Sequence, residues 1–191
     1  MKLSHWTLAP LALLALACVD LKPAPAPPVH WLDLNPPAEA MAPAGGSVGS
    51  TTRDSVSLGR VAASEAVTER LMRRTAAHEV RYDDYSRWAE DPAQVTRRAL
   101  EEALYRQRSL ARASTLRLQV ELVQLEIAGG AESAAAVTLI ALAEDSSGVL
   151  VDRRFEGRAV VSKPGAAGEA EAAAAALAAA VNGVVEATIH N

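Results

Sequence analysis

The chain predicts an α/β sandwich: a mixed, mostly antiparallel sheet of about five to six strands packed with two long helices. Three stretches carry that expectation. The first is a capped helix beginning after Asp91, with Pro92 at its first position and Gln94 three residues after the cap. Its apolar stripe, Val95, Ala99, Leu100, Ala103 and Leu104, is the single face such a helix buries, and Glu102 and Arg106 are four apart on the solvated side. The second is a meander of three antiparallel strands over residues 116–161. The third is an alanine-rich helix over 169–189, with Glu169 and Glu171 in its first turn and Leu177, Val181, Val184 and Val185 as its inward stripe.

Taken in order, residues 29–34 read as a first strand, with His30, Leu32 and Leu34 on one face and Trp31 and Asp33 on the other. Residues 36–50 form a Pro/Ala/Gly loop, and 55–61 alternate as a second strand. Residues 64–73 fit either a short helix capped by Ser64 or an edge strand. A short strand over 79–82 feeds an aromatic and charged corner at 85–90. From Leu116 to Leu122 the apolar residues hold one phase, and from Val123 to Ile127 they hold the other, so a bulge is expected near Leu122 and Val123. Gly129 and Gly130 turn the chain. Residues 137–143 are apolar on both faces, predicting a central strand covered on both sides, by a helix on each or by a neighbouring subunit.

Composition excludes several functions. The chain has 191 residues and a net charge of −4, room for one domain with appendages and no basic tract for nucleic acid. Aromatic residues make up 4%, too few for a base-stacking platform. The single cysteine, Cys18, forms no intramolecular disulfide and builds no thiolate zinc site. The four histidines His5, His30, His78 and His190 show no metal-ligand spacing, and no glycine-rich phosphate loop is present. Gly45-Gly46-Ser47-Val48-Gly49 matches the pattern of a hydrolase elbow but lacks the preceding buried strand, so Ser47 reads as part of a loop. Asp83, Asp84, Glu79 and Glu90 cluster among Arg81 and Arg87 and read as surface ion pairs rather than an acid–base site. Arg73-Arg74 and Arg153-Arg154 read as a solvated face more readily than as lipid-phosphate contacts. Trp88 reads as corner packing more readily than as a ligand anchor. No catalytic residue, metal or cofactor is expected.

The N-terminus carries a basic start at Lys2 and an apolar run over 8–17 too short to span a bilayer, followed directly by Cys18. This resembles the lipobox of bacterial lipoproteins, with Ala15 where leucine is usual. The resemblance implies cleavage after residue 17 and a lipid on Cys18; the alternative is ordinary cleavage that leaves a free thiol. Val19 rather than aspartate after the cysteine favours outer-membrane sorting over retention in the inner membrane. Residues 22–28, KPAPAPP, form an extended tether. The expected division is a signal peptide over 1–17, anchor and tether over 18–28, and one domain over 29–191.

Tyr85, Arg87, Trp88 and Glu90, leading into an arginine-bearing capped helix, resemble the ABC-type transport auxiliary lipoproteins, the paraquat-inducible protein C type among them. The lipobox, the strand at 29–34, the strand at 116–127, the DSSG turn and the C-terminal helix agree with that pattern; Asp91, where the pattern usually has proline, departs from it. The resemblance implies a non-enzymatic periplasmic accessory subunit of an envelope lipid-transport system. Its expected partners are a mammalian-cell-entry (MCE) domain protein that bridges the periplasm and an ABC permease and ATPase or an integral membrane protein. A membrane is engaged through the anchor, and the subunit is expected to act as a homo-oligomer around or beside the conduit. A lipid-binding periplasmic carrier is the alternative, and a Ser47 hydrolase ranks third.

Overall fold

The computed structural model describes residues 26–41, 53–76, 79–112, 114–129 and 132–190. Cys18, His5, Ser47 with its glycines, His78 and Gly130 lie outside the described residues. The elements run β1 (His30–Leu32), α1 (Ala38–Met41), β2 (Ser57–Ala63), β3 (Arg70–Ala76), β4 (Glu79–Trp88), α2 (Pro92–Glu101), β5 (Arg117–Ala128), β6 (Ala134–Asp145), β7 (Gly148–Val160) and α3 (Ala166–His190).

The sheet has seven strands in the order β1-β4-β3-β5-β6-β7, with β2 beside the first half of β5. This corrects the expected five to six strands and the mostly antiparallel character. Pairs β1–β4, β2–β5 and β3–β5 are parallel, whereas β3–β4, β5–β6 and β6–β7 are antiparallel. The cause is the crossover: α2 carries the chain from β4 past β3, so β5 pairs on the far side of β3 and runs parallel to it. The undecided stretch 64–73 contributes a strand, β3, rather than a helix. Its Leu71 is buried in the core, and its arginines alternate between the two faces. β4 is ten residues long, so most of the expected corner is strand.

Asp91 caps α2 by accepting the Ala93 N–H at 2.9 Å on its carboxylate, and the whole expected apolar stripe is buried. The helix does not continue as an α-helix. Residues Glu102–Gln107 form one widened π-helical segment, across which the Gln107 side-chain amide Nε2 also donates to the Glu102 carboxylate at 3.1 Å. Within it, the Tyr105 hydroxyl accepts from Leu58 N–H at 3.0 Å and donates to Val56 C=O at 3.3 Å, tying the segment to β2.

The bulge falls where the phase change predicts it, between Leu122 and Gln124. Residues Ala135, Val137, Leu139, Ala141 and Ala143 of β6 are fully buried under α3, while Ile140 and Leu142 on the other face are only half-buried. The expected helix on each face is therefore corrected: α2 and α3 touch each other on one side, and no described element covers the other. α3 is long and apolar enough to cross a membrane by length and composition, yet most of it is buried in the domain. It approaches β7 closely because small residues meet there. A Cβ on Gly157 would lie 1.8 Å from the Ala176 carbonyl oxygen.

Candidate functional site

The end of β4 alternates its side chains in the strand period. Ser86 and Trp88 point inward, Trp88 to 2% exposure; Tyr85 is 48% exposed, and Arg87 is half-buried. Trp88 is therefore a packing residue, and the Arg87 guanidinium donates to the carbonyls of Asp83 at 2.9 Å and Ser86 at 3.2 Å. β1 lies parallel to this end, with Leu32 opposite Trp88 and Trp31 opposite Arg87. Two backbone bonds complete the junction, Trp88 N–H to Glu69 C=O at 2.7 Å and Ala89 N–H to Leu32 C=O at 2.8 Å. Glu90 accepts from Arg98 of α2 at 2.9 Å, and Arg98 also reaches Asn35 at 2.8 Å. The four residues of the motif thus join β1, β3, β4 and α2 at one point.

The acidic cluster is distributed rather than convergent, and each carboxylate has an arginine partner: Glu79 with Arg81, Asp83 with Arg73, Asp84 with Arg70, and Glu90 with Arg98. Arg98 holds the Glu90 carboxyl below its ordinary range. Burial pushes the Asp83 carboxyl up, but the Tyr85 N–H, the Arg73 guanidinium and the Ser86 N–H together bring it below its ordinary value. Neither Arg73 nor Arg74 is part of a solvated face. Arg73 bridges Asp83 and Glu169 in the first turn of α3, and Arg74 makes a bidentate pair with Glu126 of β5 at 2.7 and 2.8 Å. Arg153 and Arg154 are exposed, Arg153 stacking over Phe155 at 5.0 Å. His190 contacts Glu186 at 3.0 Å, and His30 is exposed at the start of β1. Among the described residues no three metal-ligating groups converge.

A concave feature lies between residues 29–37 and the first half of α3. This open groove of about 840 Å³ is bordered by Val29, Trp31 and Pro37 on one side and by Ala166, Ala170 and Ala174 on the other. Trp31 stands at its edge, 65% exposed, the residue that sequence reasoning passed over. The available signal was its place on the outward face of a short strand directly after the tether. The groove forms because α3 is lined with alanines there and β1 spans only three residues.

By fold and site the chain is a mixed α/β domain with an open apolar groove, its elements tied together by arginine–carboxylate clamps. The particular family follows from comparison. The family model for the ABC-type transport auxiliary lipoprotein component matches residues 37–187, and the chain belongs to that family. The crystal structure of XCC0632 from Xanthomonas campestris, of the family designated DUF330, superposes with a TM-score of 0.67 at 18% identity, covering 85% of this chain and 92% of that one. A second solved structure, of an uncharacterised protein, superposes at 0.58 with 14% identity, covering 71% and 92%. At these identities both share the fold. No curated protein matches the chain.

Proposed function

We propose that this protein is a non-enzymatic, periplasm-facing accessory subunit of an ABC/MCE-type envelope lipid-transport system. In this reading residues 1–17 are a cleaved signal peptide. A lipid on Cys18 then anchors the chain, with the outer membrane as destination. The tether over 18–28 leads into the domain at 29–191, which docks on the MCE-domain conduit protein beside its permease and ATPase or integral membrane partner. The observation that carries the reading is the family match over residues 37–187, most of the domain that the tether would present. The position of Trp31 supports it further: an exposed tryptophan at the start of the domain is the kind of anchor around which docking surfaces are built.

The test is a pull-down of the full chain from detergent-solubilised native envelope, quantified by mass spectrometry, beside a Cys18→Ala variant. Enrichment of an MCE protein with its permease or ATPase is expected, with most of that enrichment lost in the variant. A pull-down without any transport component sinks the proposal. A second reading, a lipid-binding carrier, is favoured by the groove beside Trp31, whose volume suits part of an acyl chain. It predicts that phospholipid co-purifies with the full chain and is lost on Trp31→Ala.

A further inference from the structure

β7 closes the sheet at its far edge, and it is long. Among the described residues this thirteen-residue strand pairs only with β6, so one row of backbone N–H and C=O groups faces outward. Edge strands usually block further pairing with like charges, proline or an inward-pointing charge. β7 contains no proline, and its charges follow a different pattern. Register with β6 places Asp152, Arg154, Glu156 and Arg158 on the open side of the sheet, opposite Leu142, Ile140, Thr138 and Ala136. All four are exposed, and their signs alternate along the strand.

Such a row pairs all four of its charges with opposite charges in one antiparallel register. With a two-fold axis at Phe155, Asp152 faces the partner's Arg158 and Arg154 faces the partner's Glu156. By symmetry each pair occurs twice. A shift by two residues in either direction sets like charges opposite each other, which opposes that register. The ends of the strand agree with the same axis. The register with β6 skips Leu150, so Val149 returns to the face that carries Val160. These valines are both 60% exposed, which is unusual for large apolar side chains, and in this register Val149 meets the partner's Val160 at each end. On the helix side, Phe155 meets the partner's Phe155 at the axis. Arg153 falls opposite the partner's Gly157, which has no side chain to obstruct it.

We infer that the outer edge of β7 is a homodimer interface, in which two copies join their sheets antiparallel about Phe155. The partner is a second copy of this chain because the edge matches itself, in charge along the middle and in apolar residues at both ends. This inference is independent of the transport reading. The dimer leaves the groove beside Trp31 free, since β1 and β7 are opposite edges of the sheet.

The test uses the full chain purified in detergent, with mass measured by sedimentation velocity and native mass spectrometry. One variant, Arg154→Glu with Arg158→Glu, makes the row wholly acidic; a second, Asp152→Lys with Glu156→Lys, makes it wholly basic. All four positions are exposed, so both variants are expected to keep the wild-type circular dichroism. The wild type is expected to be a dimer. Each single-sign variant should dissociate at concentrations at least about tenfold higher, because four attractive cross-strand pairs become repulsive. An equimolar mixture of the two should recover the dimer as a heterodimer. A monomeric wild type, single-sign variants that stay associated, or a mixture that stays monomeric would each overturn the inference. A larger ring that persists in all variants would overturn it as well.

Discussion

Arg74 and Arg81 lie on the two strands of the β3–β4 hairpin, yet their ion pairs differ in kind. Glu126, the partner of Arg74, is 3% exposed and accepts two hydrogen bonds from one guanidinium. Glu79, the partner of Arg81, is open to solvent, as is Arg81 itself. Removing Arg74 leaves a buried carboxylate with less compensation, whereas removing Arg81 returns Glu79 to water. Arg74→Ala is therefore expected to cost several times what Arg81→Ala does, although a third of Arg74 is exposed. Arg81→Ala should cost under about 0.5 kcal/mol. Urea unfolding of both variants checks this, and equal losses would refute the distinction. The pairing of Arg74 was not legible in the sequence: Arg73-Arg74 reads as a basic pair until the parallel β3–β5 alignment brings Glu126, fifty-two residues on, beside it.

At the scale of elements, the two long helices were legible because capping and periodicity act over a few residues. Asp91, Pro92 and the apolar stripe mark α2 locally, and the alanine run marks α3. What the periodicity missed was the widened turn at Glu102–Gln107. That segment is tied over long range by Tyr105 to Val56 and to Leu58 of β2, contacts that no window of neighbouring residues contains. The seat of α3 on the sheet is likewise a contact between distant residues, with Gly157 of β7 under the Ala176 backbone. Any side chain at 157 must lift the helix or bend the strand, so Gly157→Ala is expected to destabilise by about 1–3 kcal/mol. Gly129→Ala is the contrast, since its added Cβ would meet only the Arg74 carbonyl, at an ordinary 3.5 Å. A Gly157→Ala variant with unchanged denaturation midpoint would contradict the close approach.

For the whole molecule, ion pairs that link elements set the response to acid. Asp83 joins β4 to β3 through Arg73, which in turn holds Glu169 of α3. Its carboxyl has a folded pKa below the unfolded one, despite the opposing effect of burial. The stability it contributes is therefore complete above the unfolded value of about 4 and is lost as pH falls through the lower folded value. Asp145 follows the same sign, held down first by the Ser147 hydroxyl and then by the Ser147 N–H. The unfolding midpoint should stay nearly level from neutral pH to about pH 5 and fall below about pH 4. Asp83→Asn should start lower at neutral pH and lose less on acidification. An acid limb as steep in that variant as in the wild type would remove Asp83 from the account.

The family signature, both long helices, the bulge after Leu122 and the β5–β6–β7 meander were readable because each depends on spacing within one stretch of chain. The sequence by itself also determined that the core is aliphatic and small-residue, since few aromatic side chains are available to fill it. Only the tertiary structure decided that residues 70–76 pair as a strand, that β1 runs parallel to β4 and both β2 and β3 run parallel to β5, and that both long helices share one face. Strand pairing joins residues tens of positions apart, and its register depends on which crossover the chain takes, so no local period encodes it. The same holds for the surfaces that matter. Trp31 borders a groove only because α3 passes beside β1, and the alternating charges of 152–158 line a free edge only because β7 is the last strand of the sheet and they stand on its open face.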